Sequence, residues 1–244
     1  MKSLSVIIVT KNNDDELENT IKSISLLFSQ DVEVIVVNGS DHVINKDFSK
    51  YKEGSFRILE GPDNGIYDGM NRGANCASGK YLWFLNSGDY CTNLGLLENL
   101  PYILKIEQPD LVLSLQKPYL RFASTQLKFQ ENLLISGMRP VAHQSSIVSA
   151  SVFNSLGQFN EEYRVFADQA LFYKMFNQDL SILKIYQALT SRTLGGIGDL
   201  QKYGTFFEQI KSLRSMNSLN PTPIQRILVF LAWLLVSIRK TWKK

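Results

Sequence analysis

Three short polar segments follow apolar, strand-like runs, and their residue types could bind a ligand. Each combines small residues with amide, hydroxyl or carboxylate groups: Thr10-Lys11-Asn12, Asn38-Gly39-Ser40-Asp41 and Asn86-Ser87-Gly88-Asp89. Any one of these segments is more simply explained as a turn or a helix cap. Ligands of open parallel sheets, however, bind beyond the carboxyl ends of the strands, so three polar exits along that edge predict a binding cleft.

The carboxylate of Asp89 is the best candidate ligand for a divalent cation such as Mn²⁺ or Mg²⁺. The first strand-like run is not followed by a Gly-x-Gly-x-x-Gly or Gly-x-x-x-x-Gly-Lys-Ser/Thr loop, which are the usual glycine-rich cradles for phosphates. A bound diphosphate would then need a metal ion held by carboxylate oxygens. His143, one of two histidines, could ligate that metal, contact the diphosphate or bond a local backbone group.

Alternating strand and helix patterns would position these residues. Short β-branched runs predict buried strands at residues 4–9, 32–37, 56–59, 81–85, 111–115, 147–149 and 182–186. Helices are predicted to begin after Asn13, at Ile66, at Ser151 as the cap, and at Asp168, and a further helix is predicted over residues 203–216. The alternation predicts an α/β fold with a doubly wound, mostly parallel sheet.

Composition and charge exclude several classes of protein. The 244 residues are 44% hydrophobic and 20% charged, which is typical of a globular chain and not of a disordered one. Seven Lys or Arg and no acids occur from Gln209 onward, so residues 1–208 carry a net charge of −4 and the whole chain +3. This distribution argues against a nucleic-acid groove across the fold and indicates an anionic partner at the C-terminus.

The two cysteines, Cys76 and Cys91, have no metal-like spacing and predict neither a disulfide framework nor a thiolate zinc site. Such sparse cysteine usage suits a reducing compartment. The opening apolar run ends at Val9 and is too short for a signal-peptide core, so a cytoplasmic location is expected.

The order of the motifs resembles that of family 2 glycosyltransferases, which are inverting enzymes of GT-A fold. The opening strand through Asn12 and the segment Val36-Val37-Asn38-Gly39-Ser40 are similar to the first two strands of that family. The run Asp63-Asn64-Gly65-Ile66-Tyr67-Asp68-Gly69-Met70-Asn71-Arg72-Gly73 is similar to a signature of a subgroup common in bacterial surface-polysaccharide gene products. Further matches fit the same subgroup and extend the resemblance over about residues 4–198: Ala77 to Tyr81, Phe84 to Asp89, His143-Gln144, Ala167-Asp168 and Gly195-Gly196-Ile197.

The resemblance implies donor-binding roles for residues of the first half. Thr10 and Asn38 stand where the family holds the nucleobase, with Asn38 in place of the usual Asp. Asn86 and Asp89 stand in the Asp-rich metal motif, in which only Asp89 is acidic here. Asp68 either shapes the donor pocket or is an exposed helix carboxylate.

Asp168 matches the catalytic base of the family. Inverting transfer needs one carboxylate that takes a proton from the acceptor hydroxyl while the diphosphate leaves from the opposite face. Without the resemblance, Asp168 would equally well be a cap or first-turn acid of its helix. The resemblance further implies one GT-A domain over residues 1–220, in which residues 1–115 bind the nucleotide sugar and residues 116–220 the acceptor.

The C-terminal segment, residues 221–244, predicts a helix at a membrane surface. Its twelve residues 227–238 are nearly all apolar and are flanked by Arg226 and by a basic end containing Trp242. A helix that spans a bilayer needs about 20 apolar residues, so this segment is too short to cross but suits the headgroup boundary. Docking on the cytoplasmic face of the cell membrane would give access to a lipid-linked saccharide; a core or dimer helix is the alternative.

Two other functions remain open at this level. A nucleotidyltransferase would be expected to carry a glycine-rich, basic signature after the first strand, where this chain has Thr10-Lys11-Asn12-Asn13. A non-catalytic nucleotide-sugar-binding scaffold of the same fold would explain Asn38 and the single acid at Asp89. The expected function is an inverting, metal-dependent glycosyltransferase that uses a nucleoside-diphosphate sugar, with UDP as the expected nucleotide.

Overall fold

The computed structural model describes residues 2–28, 31–51, 55–117 and 141–192. Within these ranges the strands are β1 Lys2–Thr10, β2 Val32–Asn38, β3 Ser55–Glu60, β4 Gly79–Asn86, β5 Asp89–Cys91, β6 Leu111–Lys117, β7 Ser146–Ser149 and β8 Ile182–Arg192. The α-helices are α1 Asp14–Ser23, α2 Ile66–Cys76, α3 Leu94–Glu107, α4 Ala150–Ser155 and α5 Ala167–Phe176. Short 3₁₀ turns lie at Ser25–Leu27, Ser49–Tyr51 and His143–Ser145.

The described strands form one mixed sheet in the order β3-β2-β1-β4-β7-β6-β8-β5. The pairs β1–β2, β1–β4, β2–β3 and β6–β8 are parallel. Strand β7 lies antiparallel between β4 and β6, and β5 lies antiparallel to β8. Six strands therefore run in one direction, which confirms the mostly parallel sheet.

Helices cover both faces of the sheet because the buried strands have apolar side chains on both sides. Met70 of α2, Phe153 of α4 and Leu171 of α5 pack with one set of strand residues, which includes Ile7 and Phe84. On the opposite face, α1 and α3 pack against the alternate strand positions, among them Val6, Ile8, Val36 and Trp83. This arrangement confirms the doubly wound fold.

Helix α2 lies unusually close to the sheet and ties the two halves of the chain together. A Cβ atom on Gly73 would collide with Ile7 and lie 3.1 Å from Cγ2 of Val37, so glycine permits the close approach. On the outer side of α2, Asn71 Nδ2 donates to the Phe159 carbonyl at 2.9 Å and to a carboxylate oxygen of Glu161 at 2.8 Å. Asn71 Oδ1 accepts from the Phe159 amide at 3.1 Å.

Several predicted elements need correction. The short helix α4 is capped by Ser149, whose hydroxyl accepts from the Val152 amide at 3.3 Å, so the prediction of Ser151 as the cap was wrong. Helix α3 and strand β5 were not predicted. Helix α3 contains Pro101, a residue that normally indicates a helix end, yet it is capped by Asn93 and continues to Glu107.

None of the helices in the described ranges is long and apolar enough to cross a membrane. The predicted helix over residues 203–216, the loop at Gly195-Gly196-Ile197 and the C-terminal segment 221–244 lie outside the described residues.

Candidate active site

The three polar exits meet at the carboxyl edge of the sheet. Parallel pairing places Thr10 beside Asn38, and the Gly39 amide donates to the Thr10 carbonyl at 3.0 Å. The amide of Asn12 donates to the Ser40 hydroxyl at 2.7 Å. The Ser87 amide, after β4, donates to a carbonyl of β1 at 2.9 Å. The predicted convergence of these segments is therefore confirmed.

Asn38 is fully buried, and its side chain joins the loop after β2 to the end of β3. Its Nδ2 donates to the His42 carbonyl and to a Glu60 carboxylate oxygen, each at 2.7 Å. Its Oδ1 accepts from the Ser40 amide at 3.0 Å. A nucleobase could reach this side chain only through the remaining lone pair on Oδ1, so the structure gives Asn38 chiefly a role in shaping the loop.

The other donor-binding candidates of the first half differ in exposure. Thr10 is buried, with its hydroxyl 3.4 Å from the Asn13 carbonyl. Asn12 is exposed and adopts the left-handed region at φ 55°, which asparagine tolerates better than most residues. Asp68 lies in the first turn of α2, where its carboxylate accepts from the Asn64 amide at 2.8 Å and caps the preceding turn.

Asp63 opens the subgroup signature and was given no site role from the sequence, yet its carboxylate lies within this edge. Its side chain is 5% exposed, and its Oδ1 accepts from Lys11 Nζ at 3.3 Å and from the Gly65 amide at 3.2 Å. A Cβ atom on Gly39 would collide with this carboxylate. The pairing of Asp63 with Gly39 spans two segments, so only the glycine itself could have signalled the close contact.

Asp89 is buried at the start of β5, directly after the turn that follows β4. The residue is 3% exposed, and its Oδ2 accepts from the Asn86 amide at 2.8 Å. Thr20 of α1, which sequence reasoning missed, supports the turn because its hydroxyl accepts from the Gly88 amide at 2.9 Å. Gly88 has φ 93°, a conformation that favours glycine.

The side chain of Asn86 points from this turn towards His143. Its Nδ2 lies 3.2 Å from Nε2 of His143. Its Oδ1 is buried and has no hydrogen-bond partner among the residues that the structure describes. An unmatched buried amide oxygen is costly, so this atom, beside Asp89 at the carboxyl edge, is a candidate contact for a ligand.

His143 connects Asn86 to Asp168. Its Nδ1 lies 3.2 Å from Asp168 Oδ2; in the tautomer with the proton on Nδ1, the ring donates to Asp168 and its Nε2 accepts from Asn86 Nδ2. Trp83 Nε1 fixes this segment by donating to the Gln144 carbonyl at 2.8 Å. Both ring nitrogens of His143 have protein partners, so metal ligation, one of its three predicted roles, would require breaking a contact.

Asp168 lies in the first turn of α5 with its side chain 14% exposed. Its Oδ1 accepts from the Gln169 amide at 2.8 Å and is 3.0 Å from the Tyr67 hydroxyl. A continuous chain of contacts thus runs from Asp168 through His143 and Asn86 to Asp89. Two carboxylates with separate surroundings are connected at one edge of the sheet.

The described residues fit a metal that is shared with a ligand and not a fully protein-held ion. Within the described ranges there is no cluster of three or more His, Cys, Asp or Glu that could hold a metal. The motif offers the Asp89 carboxylate and the unmatched amide oxygen of Asn86. Mg²⁺ in phosphate sites is typically held by one or two carboxylates together with substrate phosphates, and this donor set suits that arrangement.

Two solved structures share this arrangement of strands and helices. S. aureus TarS 1-349 in complex with UDP-GlcNAc matches with a TM-score of 0.64 at 18% identity, over 91% of this chain and 68% of that one. Mannosyltransferase PcManGT from Pyrobaculum calidifontis, in complex with GDP-Man and Mn²⁺, matches with a TM-score of 0.64 at 14% identity, over 95% and 69%. At these identities the matches establish the GT-A-like fold.

The profile described as "Glycosyl transferase family 2" matches residues 5–176, and the chain belongs to this family. An "uncharacterized glycosyltransferase" of Mycobacterium tuberculosis is 27% identical over 181 residues, 68% of this chain and 66% of the relative. A "PGL/p-HBAD biosynthesis glycosyltransferase" of Mycobacterium bovis is 27% identical over 176 residues, 67% of this chain and 66% of the relative. The matched region thus spans slightly less than two thirds of these relatives.

Proposed function

We propose that this protein is an inverting, metal-dependent glycosyltransferase. It transfers a sugar from a nucleoside-diphosphate donor, with a UDP-sugar as the expected one, to an oligosaccharide or lipid-linked acceptor in surface-polysaccharide biosynthesis. The observation that carries this proposal is the contact chain from Asp168 to Asp89, which joins a candidate base to a candidate metal ligand. Family membership supports the glycosyl-transfer chemistry.

In the proposed reaction, Asp168 accepts the proton of the acceptor hydroxyl. The hydroxyl oxygen forms a bond to the anomeric carbon, while the bond from that carbon to the diphosphate breaks and its electron pair leaves with the diphosphate. Asp89 and the Asn86 amide oxygen would hold Mn²⁺ or Mg²⁺, which supplies positive charge for the leaving group when bound. The separate surroundings of Asp89 and Asp168 suit these different duties.

The nucleotide is proposed from the exits of β1 and β2. Thr10 and Asn12 lie beside the loop that Asn38 shapes, and Asp68 caps the turn that precedes α2. TarS was solved with UDP-GlcNAc and PcManGT with GDP-Man, so members of this fold accept both nucleotides. UDP remains our proposal for this chain.

A screen of sugar nucleotides tests the proposal. Wild-type protein should release nucleoside diphosphate from at least one donor in the presence of Mn²⁺ or Mg²⁺, and strong chelation should stop the release. Asp168→Asn should bind the donor normally and lower kcat by at least ~10²-fold, the usual scale for loss of a general base. Asp179→Asn, at an exposed carboxylate just after α5, is the matched control and should leave kcat unchanged.

The other outcomes separate the competing functions. Binding of a sugar nucleotide without any turnover would support the scaffold and overturn the enzyme. Release of pyrophosphate from a nucleoside triphosphate would indicate a nucleotidyltransferase. Full activity of Asp168→Asn, or donor binding that collapses while bound donor turns over normally, would refute the role of Asp168 as the base.

We also propose that residues 221–244 dock the enzyme on the inner face of the cell membrane. The apolar segment 227–238 and the cations that follow it support this proposal. The full chain should co-sediment with vesicles that contain anionic lipid, whereas a chain of residues 1–220 should stay in the supernatant. Salt should weaken the binding of the full chain without abolishing it. Aggregation or unfolding of the shortened chain would identify the segment as a core or dimer helix.

A further inference from the structure

The hydroxyl of Tyr67 lies between two acceptors on the loop and helix that carry Asp168. It is 2.7 Å from the Val165 carbonyl and 3.0 Å from Asp168 Oδ1. Tyr67 is 4% exposed, and its ring packs against Phe159 with a centroid separation of 5.2 Å. The ring is therefore held in place, and its hydroxyl cannot easily leave the carboxylate.

We propose that Tyr67 is a positioning residue for Asp168, an inference that rests on the proposed function of Asp168 as the base. Tyr67 comes from α2, whereas Asp168 begins α5, and the two are 101 residues apart. On the other carboxylate oxygen, His143 provides a second contact at 3.2 Å. Donors from two different elements thus fix both oxygens and orient the carboxylate.

The two acceptors of Tyr67 let it remain bonded throughout the proposed proton transfer. A phenol has one proton to donate and can also accept. When Asp168 is ionised, the Tyr67 hydroxyl can donate to Oδ1. Once Asp168 has taken the proton of the acceptor hydroxyl on Oδ2, its Oδ1 becomes a weaker acceptor, and the Tyr67 hydroxyl can turn its proton to the Val165 carbonyl at 2.7 Å. The Val165 carbonyl can accept the phenol proton in either protonation state of Asp168, so Tyr67 keeps a hydrogen-bond partner after the proton transfer.

This arrangement gives Tyr67 an effect on turnover rather than on donor affinity. A carboxylate that has lost one donor would sample more orientations, and small misplacements of a catalytic group reduce the rate strongly. The donor is expected to contact Asp68 and the exits of β1, β2 and β4, whereas the Tyr67 hydroxyl contacts Val165 and Asp168 instead. The expected signature is a lower kcat with an unchanged KM for the donor.

Tyr67→Phe tests the inference, with Tyr81→Phe as the matched control. Both changes delete one buried phenolic oxygen, but the Tyr81 hydroxyl has no hydrogen-bond partner among the described residues. With UDP-GlcNAc and Mn²⁺ as the first probe, and the other sugar nucleotides of the screen after it, Tyr67→Phe should lower kcat about 10-fold or more with donor KM within about twofold. Tyr81→Phe should match the wild type in both constants.

A double-mutant cycle provides a measurement that does not depend on activity. The urea midpoints of wild type, Tyr67→Phe, Asp168→Ala and the double variant are compared. Because removing either partner already breaks the contact, the midpoint shift of the double variant should be smaller than the sum of the single shifts.

The two measurements distinguish failure of the inference from failure of the proposed function. Additive midpoint shifts, or kinetics of Tyr67→Phe that match those of Tyr81→Phe, would overturn the positioning role while leaving Asp168 as the base. A rise in donor KM with unchanged kcat would also overturn it, because Tyr67 would then be a binding residue. A wild type that turns over none of the sugar nucleotides would refute the proposed function, and with it the role of Tyr67 in positioning a catalytic base.

Discussion

Two buried carboxylates lie at opposite edges of the same sheet, and their surroundings differ. Glu33 lies at the amino end of β2, whereas Asp89 follows the carboxyl end of β4. Both residues are almost completely buried, with 2% and 3% of their surface exposed. Burial of an ionised carboxylate is unfavourable unless hydrogen bonds and opposite charge compensate it, so the partners of each group indicate what it is for.

Both carboxylate oxygens of Glu33 accept hydrogen bonds from other residues of the protein. Its Oε1 accepts from the Ser5 hydroxyl at 2.6 Å, from the Ser78 amide at 2.5 Å and from the Gly79 amide at 3.1 Å. Its Oε2 accepts from Arg57 Nη2 at 2.8 Å, and Arg57 also donates to the Cys76 carbonyl. This cluster joins β1, β2, β3 and the start of β4, and it needs no ligand.

The carboxyl end is incomplete by comparison. Beside Asp89, the buried Asn86 Oδ1 has no partner among the described residues. The Glu33 carboxylate is complete in the free protein, whereas the Asn86 oxygen beside Asp89 is an acceptor that a bound ligand could use. The difference predicts that changes at Asp89 should affect function with little effect on stability, and that changes at Glu33 should do the opposite.

Asp89→Asn should give the largest effect. The substituted amide oxygen can still accept from the Asn86 amide, so the free energy of unfolding should change by less than about 1 kcal/mol. Loss of the negative charge should lower the metal-dependent activity by at least ~10²-fold. Sugar-nucleotide turnover and urea unfolding, each with Asp179→Asn as the control, measure the two quantities. Normal turnover would show that Asp89 does not hold the metal.

Glu33→Gln should act on stability instead. The amide retains one acceptor oxygen but loses the charge that Arg57, Ser5 and Ser78 stabilise, so the free energy of unfolding should fall by about 1–3 kcal/mol. Activity per folded molecule should stay near wild type. Glu98→Gln, at an exposed position of α3, should change stability by less than about 0.5 kcal/mol. Equal stabilities of the two variants would contradict the structural role of Glu33.

The acid dependence of stability should also identify Glu33. Burial raises the pKa of its carboxyl, but hydrogen bonds from Ser5 and Ser78 and the charge of Arg57 outweigh burial and hold the pKa below its ordinary value. The unfolded carboxyl titrates near pH ~4.3, so this contribution to stability is complete above that pH and is lost as the pH falls through the lower folded pKa.

The measurement is the free energy of unfolding in urea as the pH is lowered from about 6 to about 3. The wild type should lose more stability over this window than Glu33→Gln, which cannot titrate at that position. The Glu98→Gln control should follow the wild type. Parallel curves for wild type and Glu33→Gln would show that Glu33 carries none of the acid dependence.

The smallest effect should come from Tyr81, whose hydroxyl is unmatched at the amino end of β4. Burial raises the pKa of this hydroxyl, and the charge of Asp110 adds to the effect. Because the group has no hydrogen-bond partner among the described residues, Tyr81→Phe should change the free energy of unfolding by at most about 0.5 kcal/mol or increase it slightly. A loss above 1 kcal/mol, measured in urea, would reveal a partner for it.

Much of the carboxyl edge of the sheet, where the donor is proposed to bind, could be predicted because the sequence patterns that indicate it are local. The β-branched runs that form β1, β2 and β4 predicted buried strands, and the polar segments after them followed from parallel pairing. The strand Leu111–Lys117 and helix α5 were also found within a few residues of their bounds. Each of these features depends on neighbours in the sequence, so periodicity and composition suffice to indicate it.

The contacts that organise the candidate base could not be predicted in this way. The Tyr67–Asp168 contact joins residues 101 apart, and the Asn86–His143 contact joins residues 57 apart. Helix α3 was missed because Pro101 and its neutral first turn weaken the usual helix signals. The antiparallel direction of β7 is set by its pairing with β4 and β6, which lie far from it in the sequence, so no short-range pattern indicates it.

The hydrogen bonds between Asn71 and the Phe159 backbone limit how proteins of this family could acquire new acceptor preferences. Helix α2 belongs to the part that should bind the nucleotide, yet its side chains hold the segment leading to Asp168. Exchanging the second half of the chain for that of another family member would therefore replace the partners of Asn71 and Tyr67 together. New acceptor preferences should arise more readily by changes within the second half than by recombination near residue 115, because the two parts are not independent modules.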